Sequence, residues 1–471
     1  MLFNSLAFAI FLPIVFILYW AMPHKYRYIL LFIASYYFYM SWNVKYVVLI
    51  LFTTFISYAS GLLMQETDFR KRKTLLLSFT LLTSLGVLFF FKYVNLFLGT
   101  LSVACSKFSI PLHPVTLNFM LPVGISFYTF QTLSYVIDVY KKKVKPESNF
   151  IRYAAFIAFF PQLVAGPIER TENLLPQLKR EQFFTYEKAS YGLKLMAWGF
   201  FKKLVIADTV GVYVEQIYSE SHYYNGFSLF LATLFFTIQI YCDFSGYSDI
   251  AIGCSKLFGI DLMTNFKSPY FSKSLKEFWG RWHISLSSWF RDYVYIPLGG
   301  NRVSNIKKQF NLTITFLVSG LWHGANYTFV LWGLFHGVGQ VLEKALGKWF
   351  SWFQNRVVTF LLVVLGWVFF RADTVSEAFY VFRHMCSGIT SPVTYVLNGI
   401  RDFHMTGLDA FSVIVPVIVL FVYDYVALKE DPIEKISALS KRKRWTLYYG
   451  FMLFFLLFAS FNATEFVYFQ F

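Results

Sequence analysis

A histidine inside an apolar stretch is the residue of this sequence best suited to acid–base chemistry. His323 lies in SGLWHGANYTFVLWGLFHG, within residues 309–342, a run without Lys, Arg, Asp or Glu. Imidazole has an ordinary pKa near 6.5, which suits a general base at neutral pH. Gly320 and Gly324 permit a local break in the helix, which is tolerated at membrane depth beside protein or a water-filled cavity. We predict that His323 lines an internal cavity; a buried packing histidine is an equal alternative.

A second histidine, His283, lies in a basic, aromatic stretch at residues 267–308. Large apolar side chains recur there at roughly helical spacing: Leu275, Phe278, Trp279, Trp282, Leu286, Trp289, Phe290 and Tyr293. This pattern predicts an amphipathic element in the membrane interface, and a simple lipid anchor is slightly favoured. The alternative is a basic surface, including Lys276, Arg281 and Arg291, for a nucleotide phosphate or an acidic carrier protein.

The segment YCDFSGYSDIAIG, residues 241–253, places two carboxylates at the end of an apolar run. Asp243 and Asp249 are six residues apart, so they do not share one helical face. A paired acid–base dyad is therefore not supported. One of the two could orient a histidine or cap a helix.

Two further features have simple interpretations. His336 lies thirteen residues after His323, at the expected far end of the next span, and is predicted to be a packing or interfacial residue. The motif FFPQLVAGPIER, residues 159–170, contains Pro161 and Pro167, which predict a break in the helix and a re-entrant bend. A loop turn is a competitive alternative.

The elements that carry these residues are predicted to be membrane helices. Of the 471 residues, 57% are hydrophobic and 14% are charged, against about 25% charged in a typical soluble domain. This composition excludes a disordered chain, a disulfide-rich secreted scaffold and an ordinary cytosolic enzyme. Four widely separated cysteines form no metal or disulfide motif. We predict an all-α, polytopic membrane protein forming a single integral domain over residues 1–471.

About 11 transmembrane helices are predicted, with additional re-entrant and interfacial helices. The candidate spans are residues 5–22, 46–63, 74–91, 119–139, 191–218, 227–241, 329–342, 357–370, 411–425 and 445–461, and two shorter apolar pieces at residues 28–40 and 153–164 either cross or only re-enter. Basic clusters at residues 25–27, 70–73, 141–143 and 441–444 should lie in the cytoplasm, which places the N-terminus outside. The net charge of +16 is attributed to such loops rather than to nucleic-acid binding.

Four motifs in this order resemble the membrane-bound O-acyltransferase (MBOAT) family. They are FFPQLVAGPIER, YCDFSGYSDIAIG, FWGRWHISLSSWFRDYVYIPLGG and SGLWHGANYTFVLWGLFHG. The resemblance spans most of the chain. It is closest to the bacterial alginate O-acetylation branch and more distant to the branch that transfers D-alanine to teichoic acid.

The resemblance implies a helical fold with a thinned centre, where donor and acceptor meet from opposite faces. His323 then corresponds to the family's nearly invariant histidine, the expected general base. His283 corresponds to its second functional histidine, which would position the donor or stabilise developing charge. The residues expected to line the substrate tunnel are Asp243, Ser245, Tyr247, Trp322 and Asn326. Residues 309–342 would form the catalytic core segment.

The same resemblance implies acetyl-CoA, or an acyl-carrier thioester, as the donor substrate, with no bound cofactor and no metal. The expected acceptor is a hydroxyl of an extracytoplasmic polysaccharide or of a separate SGNH-type acetyltransferase, and the expected location is the bacterial cytoplasmic membrane. The alternatives are D-alanyl transfer from a carrier protein, a transporter of the polysaccharide pathway and a structural assembly subunit. Acylation of lipid or protein is a weaker alternative.

Overall fold

The computed structural model describes residues 1–110, 117, 119–164, 166–346, 354–460 and 466–467. Across these residues the regular structure is helical and contains no strand, which confirms the all-α prediction. The first eleven helices are α1 Leu6–Ala21, α2 His24–Met40, α3 Val47–Glu66, α4 Arg70–Lys92, α5 Val94–Lys107, α6 Ile125–Tyr140, α7 Phe150–Ile157, α8 Phe160–Leu163, α9 Thr171–Lys179, α10 Tyr186–Phe200 and α11 Asp208–Tyr218. The remaining helices are α12 Phe227–Leu257, α13 Leu275–Arg281, α14 Ile284–Phe290, α15 Asn305–His323, α16 Tyr327–Leu346, α17 Arg356–Arg371, α18 Val375–His384, α19 Pro392–Arg401, α20 Gly407–Ala427, α21 Pro432–Ser437 and α22 Lys441–Phe458.

Four helices in the described part of the chain are long and apolar enough to cross a membrane. They are Val44–Glu66, Arg70–Lys92, Phe227–Leu257 and Gly407–Ala427. Shorter apolar helices occur at Leu6–Ala21, Val94–Lys107 and Phe150–Leu163. An integral membrane protein fits these helices, whereas the predicted count of about 11 crossings is not confirmed. Helix α5 was not among the predicted spans.

The chain forms two compact units. One consists of residues 1–193 and 251–263, and the other of residues 194–250 and 264–471. The single domain expected from the sequence stays a prediction. In the first unit, the motif at 159–170 interrupts the helix as its prolines predicted, since α7 ends at Ile157 and only the short α8 follows. The re-entrant character of this break stays a prediction.

The basic stretch at residues 267–308 is not one continuous amphipathic helix. It contains a 3₁₀ turn at Pro269–Phe271, then α13 and α14, then a π-helical turn at Arg291–Tyr295. The break falls at His283, whose φ of 44° is left-handed and therefore incompatible with a continuing α-helix. The expected aromatic stripe is largely buried: Phe278, Trp282 and Phe290 pack inside the second unit and not toward lipid. An interfacial location for this stretch stays a prediction.

Helix α12 is longer than the sequence indicated. The predicted span ended at residue 241, but the helix continues for 31 residues to Leu257. Asp243 and Asp249 therefore lie inside a helix and not at its end. Both carboxylates within this helix pair with buried lysines, as described below.

Helices α15 and α16 form a hairpin that carries His323 at its turn. A Cβ atom at Gly320 would lie 2.2 Å from the carbonyl oxygen of Phe329, and one at Gly333 would lie 2.3 Å from that of Phe316. Only glycine at these positions lets the two backbones approach so closely. His336 lies within α16 and not at its far end, so that expectation was wrong.

Candidate active site

His323 is the last residue of α15 and its side chain is buried, with 6% exposure. The extended backbone of Gly324 (φ −161°, ψ 153°) ends the helix directly after it. The imidazole ring meets Trp332 edge-on with ring centroids 5.0 Å apart, and Phe370 of α17 at 5.5 Å. Aromatic walls therefore fix the orientation of a titratable ring at the end of a helix.

His283 lies between α13 and α14 and is 2% exposed. Left-handed backbone is uncommon for a residue with a Cβ, and such strain is concentrated at functional sites. The ring meets Phe244 edge-on at 4.5 Å. Burial lowers the pKa of His283 well below its usual value, and the charge of nearby His323 lowers it further. The structure thus brings the two predicted histidines into one buried, electrostatically coupled site.

Asn265 is a polar residue of this site that sequence reasoning missed. Its Oδ1 lies 2.9 Å from Nδ1 of His283 and 2.9 Å from Oγ of Ser285. Its Nδ2 donates a hydrogen bond to Oγ of Ser248 at 3.1 Å. Asn265 precedes His283 by eighteen residues, and the two are separated by a 3₁₀ turn and by α13, so no spacing rule could have paired them.

A cleft of about 750 Å³ opens in the second unit between α13–α14 and the α15–α16 hairpin. Its lining includes four cationic side chains: Lys276, Arg291, Lys308 and Lys344. Aromatic walls come from Trp279, Phe290 and Phe316. Two of the three predicted donor-binding cations, Lys276 and Arg291, therefore share one cleft. The third, Arg281, is not among its lining residues and pairs with Glu277 at 2.8 Å.

The wall of this cleft leads along α15 toward the histidine site. Thr315 and Ser319 line the cleft. They precede His323 by eight and four residues, so all three lie on one face of the helix. The face of α15 that lines the cleft therefore also carries His323.

Three of the predicted tunnel residues lie on α12 and contact buried lysines or aromatic rings. Asp243 pairs with Nζ of Lys203 at 2.7 Å, and its other oxygen accepts a hydrogen bond from the backbone nitrogen of Val467. Ser245 accepts a hydrogen bond from Nζ of Lys202 at 2.8 Å. Tyr247 is buried, and its ring lies 4.6 Å from that of Phe466. These contacts give Asp243 and Ser245 clear structural partners.

The buried lysines themselves were also missed by sequence reasoning. Lys202 pairs with Asp249 at 2.6 Å, and Lys203 pairs with Asp208 at 2.8 Å as well as with Asp243. Both lysines lie in a π-helical turn, Phe201–Ala207. Such turns are rare and frequent at functional sites. Two adjacent lysines in an apolar segment were the available signal, because a cation inside a membrane helix requires a buried partner.

The remaining tunnel candidates lie at the turn of the α15–α16 hairpin. Trp322 is half-buried beside His323. Asn326 accepts a hydrogen bond from the backbone nitrogen of Thr328 at 3.1 Å and donates one to the carbonyl oxygen of Asp373 at 2.7 Å. Asn326 therefore stabilises the start of α16 and ties it to a neighbouring loop.

His336 is fully buried among aromatic rings, with Trp332 at 5.1 Å and Trp279 at 5.2 Å between ring centroids. This environment agrees with the packing role expected for it. In the described ranges, no three His, Cys, Asp or Glu side chains converge as a metal site would require. The geometry therefore offers two neighbouring buried histidines, one of them at the end of the helix that lines a cationic cleft, and histidine is a residue type suited to proton transfer.

Comparison with known proteins agrees with this chemistry. The model of the membrane-bound O-acyltransferase family matches residues 26–370. A probable alginate O-acetylase AlgI of Pseudomonas aeruginosa is 38% identical over 449 residues, covering 92% of this chain and 83% of the relative. A peptidoglycan O-acetyltransferase of Helicobacter pylori is 34% identical, covering 79% and 75%. A teichoic acid D-alanyltransferase of Bacillus subtilis is 30% identical, covering 58% and 71%.

These relatives are acyltransferases, which favours acyl transfer over the transporter and assembly alternatives. With its buried histidine pair and its helical membrane fold, this chain belongs to the membrane-bound O-acyltransferase family and is an acyltransferase.

Proposed function

We propose that this acyltransferase takes an acetyl group from acetyl-CoA at the cytoplasmic face of a bacterial inner membrane. The group passes to a hydroxyl of an extracytoplasmic polysaccharide, or of a partner acetyltransferase of the SGNH type that modifies the polysaccharide. The observation that carries the proposal is the cationic cleft whose wall, α15, ends at His323. Similarity to an alginate O-acetylase and a peptidoglycan O-acetyltransferase supports acetyl as the acyl group.

The cleft suits a donor with phosphates at one end and a thioester at the other. Lys276, Arg291, Lys308 and Lys344 supply the positive charge for the phosphates. The face of α15 marked by Thr315 and Ser319 then guides the pantetheine arm toward the histidines. In the proposed membrane topology, the cleft opens to the cytoplasm and the N-terminus of the chain lies on the extracytoplasmic side.

His323 acts as the general base in the proposed mechanism. Its imidazole removes the proton from the acceptor hydroxyl, and the oxygen attacks the thioester carbonyl. The tetrahedral intermediate collapses by breaking the C–S bond, and the thiolate leaves with the proton that His323 carries. General-base catalysis of this kind contributes typically about 10²–10⁴-fold in rate. His283 positions the donor or stabilises the charge that develops on the carbonyl oxygen.

D-alanyl transfer from a carrier protein is the second candidate, and similarity to a teichoic acid D-alanyltransferase favours it. The same cationic cleft suits the phosphopantetheine arm and the acidic surface of a carrier. The charge of the cleft therefore does not distinguish acetyl-CoA from a D-alanyl carrier protein as the donor, and an experiment is needed to decide between them.

The test uses membranes that contain the full chain together with the native polymer machinery. Acetyl-labelled acetyl-CoA is supplied, and the label is followed into extracytoplasmic glycan and protein. Wild-type membranes should transfer the label, and His323→Ala should reduce transfer by about 10²-fold or more. His336→Leu is the matched control, because it also replaces a buried histidine of the same hairpin but should preserve transfer.

Three outcomes would overturn parts of this proposal. Equal transfer by wild type and folded His323→Ala would show that His323 is not the base. Label that moves only from a D-alanyl carrier thioester would replace the acetyl donor with the second candidate. Loss of transfer in His336→Leu at normal folded yield would show that His336 also takes part.

A further inference from the structure

The contacts of Asn265 determine which nitrogen of His283 carries the proton. Nδ1 of His283 lies 2.9 Å from Oδ1 of Asn265. The identity of that amide atom follows from its other neighbours. The backbone nitrogen of Ser285, which can only donate, points at the same atom from 3.4 Å, and Oγ of Ser285 donates to it at 2.9 Å. The atom facing these donors must therefore be the oxygen.

The other side of the amide is occupied as well. Nδ2 of Asn265 donates to Oγ of Ser248 on α12 at 3.1 Å. The backbone holds Asn265 beside the histidine, because the nitrogen of Ile284 donates to the carbonyl oxygen of Asn265 at 2.9 Å. Asn265 is fully buried, with 0% exposure. The amide therefore cannot rotate without losing several buried hydrogen bonds, each costly to leave unmade.

We infer that Asn265 is a positioning residue that holds His283 as the Nδ1–H tautomer, so that His283 offers the lone pair of Nε2 to the reaction. An amide oxygen can only accept a hydrogen bond, so Nδ1 must donate, and the neutral ring then has an unprotonated Nε2.

This inference rests on the proposed function and decides between the two roles left open for His283. A neutral ring with a bare Nε2 accepts a hydrogen bond, for example from an amide N–H of the pantetheine arm. It cannot donate one to a developing oxyanion. His283 therefore positions a donor N–H, and charge stabilisation falls to other groups.

The charged groups around His283 are few. From α15, His323 faces it. From α12, the packed residue is the apolar Phe244, and the nearby carboxylates Asp243 and Asp249 are paired with lysines. No carboxylate contact to His283 occurs among the described residues. An aspartate introduced at position 265 would be the first carboxylate on Nδ1, and it would favour the imidazolium form.

The first test reads the tautomer directly and does not depend on acetyl transfer. The full chain is labelled with ¹⁵N-histidine in lipid bilayers, and solid-state NMR spectra of wild type and His283→Gln are compared at pH 7. The signals lost in the variant belong to His283. They should show a protonated Nδ1 and an unprotonated Nε2; a protonated Nε2 overturns the inference, whatever the protein transfers.

The second test titrates the ¹⁵N signals of His283 against pH. Asn265→Asp should move the protonation midpoint of His283 to higher pH by about one unit or more, because the new carboxylate stabilises its protonated form. Asn311→Asp is the matched control: Asn311 is also buried, with Nδ2 donating to the carbonyl oxygen of Leu298, but it does not contact His283. An unshifted midpoint in folded Asn265→Asp, or an equal shift in Asn311→Asp, overturns the positioning role.

Failure of the proposed function would look different. Wild-type membranes would then transfer no acetyl label, while the NMR spectra could still show the Nδ1–H tautomer. A wild type that transfers label with a protonated Nε2 would instead preserve the proposed function and overturn only the inference.

Discussion

At the residue scale, Lys203 is a buried cation that pairs with two carboxylates inside the second unit. Its Nζ lies 2.8 Å from Asp208 and 2.7 Å from Asp243, and all three side chains are at most 4% exposed. Removing one partner from a buried charge cluster leaves the others uncompensated, which costs far more than the cluster as a whole contributes.

Lys203→Met should therefore strongly destabilise the protein. The expected loss is about 3–5 kcal/mol, because two buried carboxylates lose their shared cation. Thermal unfolding of the purified wild type and variant in detergent measures this loss of stability. Adding Asp208→Asn and Asp243→Asn to the same variant should restore much of the loss, since the buried charges are then gone.

Lys435→Met is the control for this change. Lys435 pairs with Glu430, but both side chains are 51% exposed. Exposed pairs contribute little, about 0–1 kcal/mol. If Lys203→Met were no less stable than Lys435→Met, the buried cluster would not have the structural role assigned to it.

At the scale of elements, the α15–α16 hairpin places His323. Gly320 lies one turn before the histidine and directly against α16, where a Cβ would be 2.2 Å from the carbonyl oxygen of Phe329. Backbone atoms cannot move aside as a flexible side chain can. The separation of the two helices is therefore set by the absence of a side chain at this position.

Gly320→Ala should push α15 away from α16 and displace His323. We expect a loss of about 1–3 kcal/mol in stability and a fall in acetyl transfer that exceeds the fall in folded protein. Unfolding in detergent and labelled transfer by the same preparation measure both effects.

Gly450→Ala in α22 is the matched control, because nothing lies within 4 Å of a Cβ at that position. Alanine favours a helix over glycine by about 1 kcal/mol, so this variant should be neutral or slightly stabilised. Equal behaviour of the two variants would mean that the close approach at Gly320 does not position the histidine.

At the scale of the whole molecule, part of the excess of positive charge lies in one cleft. The net charge is +16, and four of the cations line the cleft beside α15. If this cleft binds the phosphates of the donor, its charge should affect donor binding more than the chemical step.

The double variant Lys276→Glu/Arg291→Glu should raise the KM for acetyl-CoA by about 10-fold or more with a smaller change in kcat. Increasing ionic strength should raise the wild-type KM in the same direction. Lys71→Glu/Arg72→Glu reverses two exposed cations in the first unit and serves as the control. Similar KM values for the two double variants would contradict donor binding in the cleft.

Two carboxyl groups of the first unit should give opposite pH dependences. Burial tends to raise the pKa of Asp261, but hydrogen bonds from Lys256 and Lys188 outweigh it and hold the pKa below the usual aspartate value. A lowered folded-state pKa stabilises the protein above the unfolded pKa, near 3.9, and this contribution is lost as pH falls through the folded value. Burial instead raises the pKa of Glu169 to about 7. Stability linked to Glu169 therefore falls as pH rises from about 4.5 through 7.

Thermal unfolding of wild type, Asp261→Asn and Glu169→Gln across pH 3–8 tests both signs. The advantage of wild type over Asp261→Asn should be present at pH 7 and shrink below about pH 4. Relative to Glu169→Gln, wild type should gain stability as pH falls from 8 to 5. A constant difference across this range would contradict the ionisation assigned to that group.

The membrane class, the helical fold and the candidate for the general base were all predictable from the amino-acid sequence. A run of apolar residues predicts a membrane helix because a segment inside lipid must be apolar along its length and must form its backbone hydrogen bonds within itself. The composition of the segment is therefore enough to identify it. The local motif around His323 was visible for a related reason, since polar residues in such a run are exceptional. The backbone around His283 was harder to predict, because the helical spacing of the apolar residues there did not reveal the left-handed conformation of His283 that separates α13 from α14.

Which residues from distant parts of the chain come into contact is seen only in the folded protein. The pairing of Asn265 with His283, the ion pair of Lys203 with Asp243 on α12, and the exclusion of Arg281 from the cationic cleft all depend on contacts between separate elements. No periodicity relates such residues along the chain. A buried polar group costs free energy unless it forms a hydrogen bond or an ion pair. The partner that makes this bond is brought into place by the packing of several helices, and so it cannot be identified from the order of residues along the chain.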